Sequence, residues 1–69
     1  MTEVNINSDM IKLDQFLKWA GVAENGGMAK LMVQDGKASV NGEVILQRGK
    51  KLYKGDKIIV SEIGEFIIV

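Results

Sequence analysis

Residues Gly26 to Gly42 read GGMAKLMVQDGKASVNG, and the other elements can be placed relative to this stretch. Met28 to Gln34 has the composition of a short helix. Gly36 follows within two residues, where a left-handed helix end favours a residue without a Cβ. Residues 38 to 40 alternate between apolar and polar, as in a half-buried strand. Asn41-Gly42 is the dipeptide best suited to the two positive φ angles of a type I′ turn. The stretch therefore predicts a helix, a stop, a strand and a hairpin turn.

A second helix is predicted upstream, from Lys12 to Ala20. Its apolar side chains fall at i, i+3, i+4 and i+7 and form one face: Leu13, Phe16, Leu17 and Ala20. Gly21 marks its end. Ser8 or Asp9 is expected to cap it by accepting a hydrogen bond from an amide of the first turn.

The apolar residues of the downstream helix should pack against the upstream one. Ala29, Met32 and Val33 lie at i, i+3 and i+4, so Lys30 is left pointing outward. The two helices are therefore expected to form a pair that shares one apolar contact.

Short apolar segments predict strands in the rest of the chain: Glu3 to Asn7, Glu43 to Leu46, Lys57 to Ser61 and Phe66 to Val69. In the second of these, Val44 and Leu46 share one face. Gln47 to Gly55 is predicted as a loop, anchored to the core by Leu52 and Tyr53. The fold class expected is α+β: two short helices packed against a small, mostly antiparallel sheet of about five strands, in a single domain over residues 1–69.

The composition excludes several classes of site. Without cysteine or histidine there can be no disulfide, no thiol catalysis and no Ser-His or Cys-His pair, and only carboxylates and backbone oxygens remain as metal ligands. We expect no metal, no cofactor and no small-molecule substrate. No nucleophile has a base to activate it, so an enzyme is the least favoured class. The polar start Met1 to Met10 and the lack of a long apolar run predict a cytoplasmic protein that does not enter a membrane.

The charge is unevenly distributed although the formal net charge is zero. Residues 1–35 carry three lysines against five acids, whereas residues 36–69 carry six basic residues against four acids. Gln47 to Lys57 alone holds five basic residues and one acid. A local positive field of this kind favours contact with a phosphate backbone.

Three features each have a structural and a functional interpretation. Trp19 can belong to the core or its rim, or it can stack on a base. Lys12 and Lys18 can lie on a solvated face or contact phosphates. Gly26-Gly27 can give room to two closely packed helices, or it can let a phosphate oxygen approach the free amides of a helix start.

The order of the elements and the residues at their junctions resemble the S-four RNA-binding domain, also called the alpha-L motif. The resemblance covers Lys12 to Val60 and is carried by Lys12-Leu13-Asp14, Phe16-Leu17, Ala29-Lys30, Gly36, Val40-Asn41-Gly42 and Lys54-Gly55-Asp56. Within the family, Gly26-Gly27, the segment Arg48 to Leu52 and the extra strands at both ends are similar to the small stand-alone bacterial YaaA/YbcJ-type members.

This resemblance implies a module that binds structured RNA, often ribosomal RNA, through the two-helix face and the adjacent basic loop. The implied contacts are the side chains of Lys12, Lys30, Lys37, Arg48, Lys50 and Lys51, with the backbone of Gly26 and Gly27 as possible phosphate contacts. Many members have Ser-Arg where this chain has Gly26-Gly27, so one phosphate-binding arginine is absent. The alternative is a protein-interaction adaptor that docks on a ribosomal or replication partner. A monomer is expected in either case.

Overall fold

The computed structural model describes all 69 residues and contains two helices and seven short strands. The helices are α1 (Leu13–Trp19) and α2 (Gly26–Gln34). The strands are β1 (Thr2–Val4), β2 (Met10–Lys12), β3 (Ala38–Val40), β4 (Glu43–Val44), β5 (Lys51–Tyr53), β6 (Lys57–Val60) and β7 (Gly64–Ile68). The α+β class predicted from the sequence is confirmed.

Five of the strands form one sheet in the order β1-β7-β6-β3-β4. Only the β1–β7 pair is parallel, so the mostly antiparallel sheet of about five strands is confirmed. The remaining strands, β2 and β5, pair with each other in a second, two-stranded sheet. The sequence did not predict this second sheet, because a three-residue strand is too short to show a periodic pattern.

The predicted apolar faces of both helices are buried in one core. On α1, Leu13, Phe16 and Leu17 are fully buried, and Ala20, the residue that follows the helix, is partly buried. On α2 the buried residues are Ala29, Met32 and Val33, as the spacing predicted, and Lys30 is exposed. The Phe16 ring meets Phe66 of β7 edge to face, with centroids 6.1 Å apart. This contact joins the helix pair to the sheet.

The turn residues behave as their types predict. Gly36 ends α2 with a φ of +74°, and the hairpin between β3 and β4 has φ angles of +52° at Asn41 and +90° at Gly42. The Asn41 side chain also joins this hairpin to the turn between β5 and β6. Its Oδ1 accepts from the backbone N–H of Lys57 at 3.0 Å, and its Nδ2 donates to Asp56 Oδ1 at 3.1 Å. Asn41 therefore has two roles: its backbone adopts the positive φ of the hairpin turn, and its side chain holds two neighbouring turns together.

The start of α1 differs from the prediction. Ser8 and Asp9 do not cap the helix, since its N-cap residue is Lys12 and no side chain caps it. Two backbone carbonyls replace the side-chain cap: Leu13 N–H donates to Lys50 O at 2.8 Å, and Asp14 N–H donates to Arg48 O at 3.0 Å. The predicted cap was wrong because a distant loop, invisible to local pattern reading, supplies the acceptors.

Two strand predictions and one loop prediction also need correction. The first strand ends at Val4 rather than continuing to Asn7. The segment predicted as Glu43 to Leu46 is a strand only over β4, and it is Ile45 that turns into the core, while Val44 and Leu46 are exposed. Gln47 to Gly55 is not all loop, since it contains β5.

Strand alternation explains why only one of the two predicted loop anchors is correct. Leu52, at the centre of β5, is fully buried, whereas Tyr53 points the other way and is 50% exposed. Successive side chains of a strand point to opposite faces, so Leu52 and Tyr53 cannot both reach the core.

Candidate nucleic-acid interface

Four of the predicted cations come together at the start of α1. Lys12 lies directly opposite Lys51 in the antiparallel β2–β5 pair. The carbonyls of Arg48 and Lys50 accept the first two amides of the helix, so the loop that carries these residues lies across the helix start. All four side chains are exposed. We refer to Lys12, Arg48, Lys50 and Lys51 as the basic cluster.

The pairing of Lys12 with Lys51 is unfavourable for the folded protein on its own. Directly opposed residues of an antiparallel pair have Cβ atoms roughly 4.5–5.5 Å apart, and like charges at these positions are destabilising. Both side chains point away from the core, because their strand neighbours Ile11 and Leu52 form the inward-facing pair. A bound anion would relieve the repulsion, so the arrangement suits a polyanionic ligand.

A groove of about 390 Å³ borders the basic cluster on the side of the β3–β4 hairpin. Lys50, Lys51 and Tyr53 line it, together with two carboxylates, Glu43 and Asp56. Asp56 is used to hold its own turn, since its Oδ2 accepts from the backbone N–H of Tyr53 at 2.8 Å. With two lysines and two carboxylates the groove is formally neutral, so the net positive charge of the basic cluster comes from Lys12 and Arg48, which do not line the groove.

The structure does not join the other two predicted lysines to the basic cluster by strand pairing or hydrogen bonds. Lys30 lies on the exposed side of α2. Lys37 lies before β3, where its carbonyl accepts from the backbone N–H of Ser61 at 2.9 Å. The groove beside the basic cluster is lined by Val40, at the other end of β3.

Gly26 and Gly27 form the first turn of α2, and Asn25 caps this helix. The Asn25 side chain accepts from the backbone N–H of Met28 at 2.9 Å. A Cβ at Gly26 would meet nothing within 4 Å, and one at Gly27 would lie 3.4 Å from Asn25 Oδ1. Neither residue has a positive φ. The packing interpretation of this glycine pair therefore has little support, since neither crowding nor backbone conformation requires glycine here.

Two exposed aromatic side chains fall outside the predicted set of contacts. The sequence predicts Tyr53 as a core anchor, but β5, which pairs with β2, turns Leu52 to the core and leaves Tyr53 facing outward. Trp19 is 56% exposed, and its indole Nε1–H donates to the backbone carbonyl of Asn5 at 2.6 Å. Trp19 therefore lies at the rim of the core, as one of its two interpretations predicted. Its exposed ring leaves a face on which a base can stack.

No three acidic residues are grouped closely enough to hold a metal. A helix able to cross a membrane would have to be longer and more apolar than α1 or α2.

Comparison with known proteins agrees with the resemblance drawn from the sequence. A family model described as S4 domain matches residues 4–69. A relative from Bacillus subtilis (strain 168), named "Probable ribosome maturation protein RlbA", is 42% identical over 66 residues, which cover 96% of this chain and 93% of the relative. Sequence and fold together show that the chain belongs to the S4 domain family, whose members generally bind RNA.

Proposed function

We propose that the protein binds structured RNA, and ribosomal RNA in particular, through the basic cluster and without catalysis. The observation that carries this proposal is the register that sets Lys12 against Lys51 while the Arg48–Lys50 loop covers the start of α1. The ribosomal part rests on the name of the Bacillus subtilis relative, a probable ribosome maturation protein.

The chemistry of the basic cluster favours recognition of shape over base sequence. A-form RNA hides its base edges in a deep, narrow major groove and presents phosphates and 2′-hydroxyls instead. A group of cations held on a fixed backbone can select the spacing of these phosphates without reading bases. Arg48 is the only arginine, and hence the only side chain that can bind a phosphate in a bidentate manner. We assign it the central contact.

The remaining predicted contacts would extend the interface along the helices. Lys30 and the exposed backbone of Gly26 and Gly27 lie one turn apart on α2, so they can follow the same RNA strand. Lys37, near the far end of β3, would contact a more distant phosphate. These contacts are secondary to the basic cluster in this proposal.

One observation favours the alternative, a protein-interaction adaptor. Val44 and Leu46 are 57% and 62% exposed and lie side by side above Gly36, where a Cβ would be 3.8 Å and 3.9 Å from their methyl groups. Adjacent exposed apolar side chains of this kind can dock on a protein partner, here a ribosomal one. The adaptor would use this face and leave the lysines in solvent.

Co-sedimentation of variants with ribosomal subunits distinguishes RNA binding from the adaptor function. We expect the wild-type protein to sediment with subunits at low salt and to be released at high salt, because contacts to phosphates weaken as salt rises. A Lys50→Glu/Lys51→Glu variant should stay in the supernatant. Lys57→Glu, which reverses an exposed strand lysine outside the basic cluster, is the control and should sediment like the wild type. Retention of the double variant, with release of a Val44→Ser/Leu46→Ser variant, would instead assign the binding to the adaptor function.

A further inference from the structure

A shallow groove of about 430 Å³ runs along α1 outside the basic cluster. Four residues line it: Ile11, Gln15, Lys18 and Trp19. Gln15, Lys18 and Trp19 follow each other at i, i+3 and i+4 of the helix, so they share one face. Ile11 lies at the near end, directly before Lys12 in β2. The side chains of Ile11 and Lys12 point to opposite faces of β2, so the groove and the basic cluster are distinct surfaces that both lie near the start of α1.

The Trp19 ring is exposed but held in place. Its Nε1–H donates to the Asn5 carbonyl at 2.6 Å, which fixes one edge of the indole to the segment between β1 and β2. More than half of the side chain is still open to solvent. A flat aromatic surface in a fixed position suits stacking on another ring, since little freedom is lost when the ligand binds.

The neighbours of Trp19 match the other parts of a nucleotide. The Gln15 amide is exposed and offers both a donor and an acceptor to a base edge. The Lys18 ammonium is exposed and can contact a phosphate. The nearest carboxylate in the sequence, Asp14, is partly buried, and its Oδ1 accepts from the backbone N–H of Gln15 at 2.8 Å.

We infer that this groove binds a single unpaired nucleobase of the RNA, stacked on Trp19. The inference rests on the proposed function, because the same RNA would contact the basic cluster. An α-helix rises about 1.5 Å per residue, so Lys12 and Trp19 are separated by about 10 Å along α1, a distance that a few nucleotides span. The base must be unpaired, since the faces of paired bases are covered by their neighbours in the duplex. The RNA partner would therefore contain a bulge or loop next to a stem.

Trp19 is the only tryptophan, so its fluorescence reports on this groove alone. The test uses two RNA probes: a hairpin with one bulged nucleotide in its stem, and the same hairpin without the bulge. Binding of each is followed by the anisotropy of a dye on the RNA, and stacking by the emission of Trp19. We expect both hairpins to bind, and only the bulged hairpin to quench Trp19 strongly and to saturation.

Two variants separate stacking from hydrophobic contact. Trp19→Phe and Trp19→Leu both lose the hydrogen bond to Asn5, but only the first keeps an aromatic face. Trp19→Leu should bind the bulged hairpin about tenfold more weakly than the wild type, whereas Trp19→Phe should recover most of that loss. On the hairpin without a bulge, the two variants should have equal affinities.

The outcomes distinguish this inference from the proposed function. If both hairpins bind but Trp19 emission changes equally or not at all, the nucleobase site is wrong and the proposed function stands. Equal affinities of Trp19→Phe and Trp19→Leu for the bulged hairpin would overturn it as well, and would leave Trp19 as a structural clip or a contact for a protein. If neither hairpin changes the anisotropy, the proposed function itself fails. The wild-type quenching experiment needs no substitution, so it decides the question even if a variant does not fold.

Discussion

A Lys12→Glu/Arg48→Glu variant is expected to bind a short RNA hairpin at least about a hundredfold more weakly than the wild type. Hydrogen bonds to charged groups are worth about 1.5–3 kcal/mol each, and the variant loses two of them and adds repulsion. The free energy of unfolding should not fall in parallel with the RNA affinity. Lys12→Glu places a carboxylate opposite Lys51 and next to the helix start, where negative charge is favourable, so the free energy of unfolding should stay within about 1 kcal/mol of the wild type.

RNA affinity by anisotropy and stability by urea denaturation, measured on the same samples, test this separation. Lys57→Glu is the control, because it reverses an exposed lysine of β6 that is not part of the basic cluster. It should bind within a few-fold of the wild type. Equal losses of affinity in the control and the double variant would mean that net charge, not the basic cluster, determines binding.

Phe16→Ala is expected to destabilise the fold by about 3–5 kcal/mol. Phe16 is fully buried, and its edge-to-face contact with Phe66 joins the helix pair to the sheet. The whole stability of a domain this size is on the order of 3–10 kcal/mol. Most of it would be lost, and the thermal unfolding transition followed by circular dichroism should shift far down or vanish.

Leu31→Ala is the matched control for Phe16→Ala. Leu31 is also an apolar helix residue, but it is 61% exposed on α2, so its truncation should change the free energy of unfolding by about 0.5 kcal/mol or less. Similar losses for the two variants would contradict the assignment of the core to the face of α1 that carries Phe16.

Local sequence patterns predicted most of the fold. The helical spacing of Leu13, Phe16 and Leu17 marked a buried face, and Asn41-Gly42 marked a turn that only a few residue types can adopt. These signals are local, because each depends on neighbours within one or two turns. The β2–β5 pair escaped prediction since its strands have three residues each and lie about forty positions apart, so no short-range pattern connects them.

The unpredicted β2–β5 pair also limits how much of the candidate site can be predicted from the sequence. The density of basic residues from Gln47 to Lys57 is visible in the sequence, but the position of Lys12 beside Lys51 follows only from the strand register. The exposure of Tyr53 depends on that register too. Trp19 shows a different limit: its helical position placed it at the edge of the apolar stripe, yet its link to the Asn5 carbonyl required the tertiary structure.

The salt dependence of RNA binding tests the role of the basic cluster most directly. Each phosphate contact contributes about −0.7 to −0.9 to the slope of log affinity against log salt, so four contacts predict a slope of about −3 to −4 for the wild type. The Lys12→Glu/Arg48→Glu variant should show a slope smaller in magnitude by about 2. A wild-type slope near zero, or the same slope in both proteins, would show that these cations do not contact RNA phosphates.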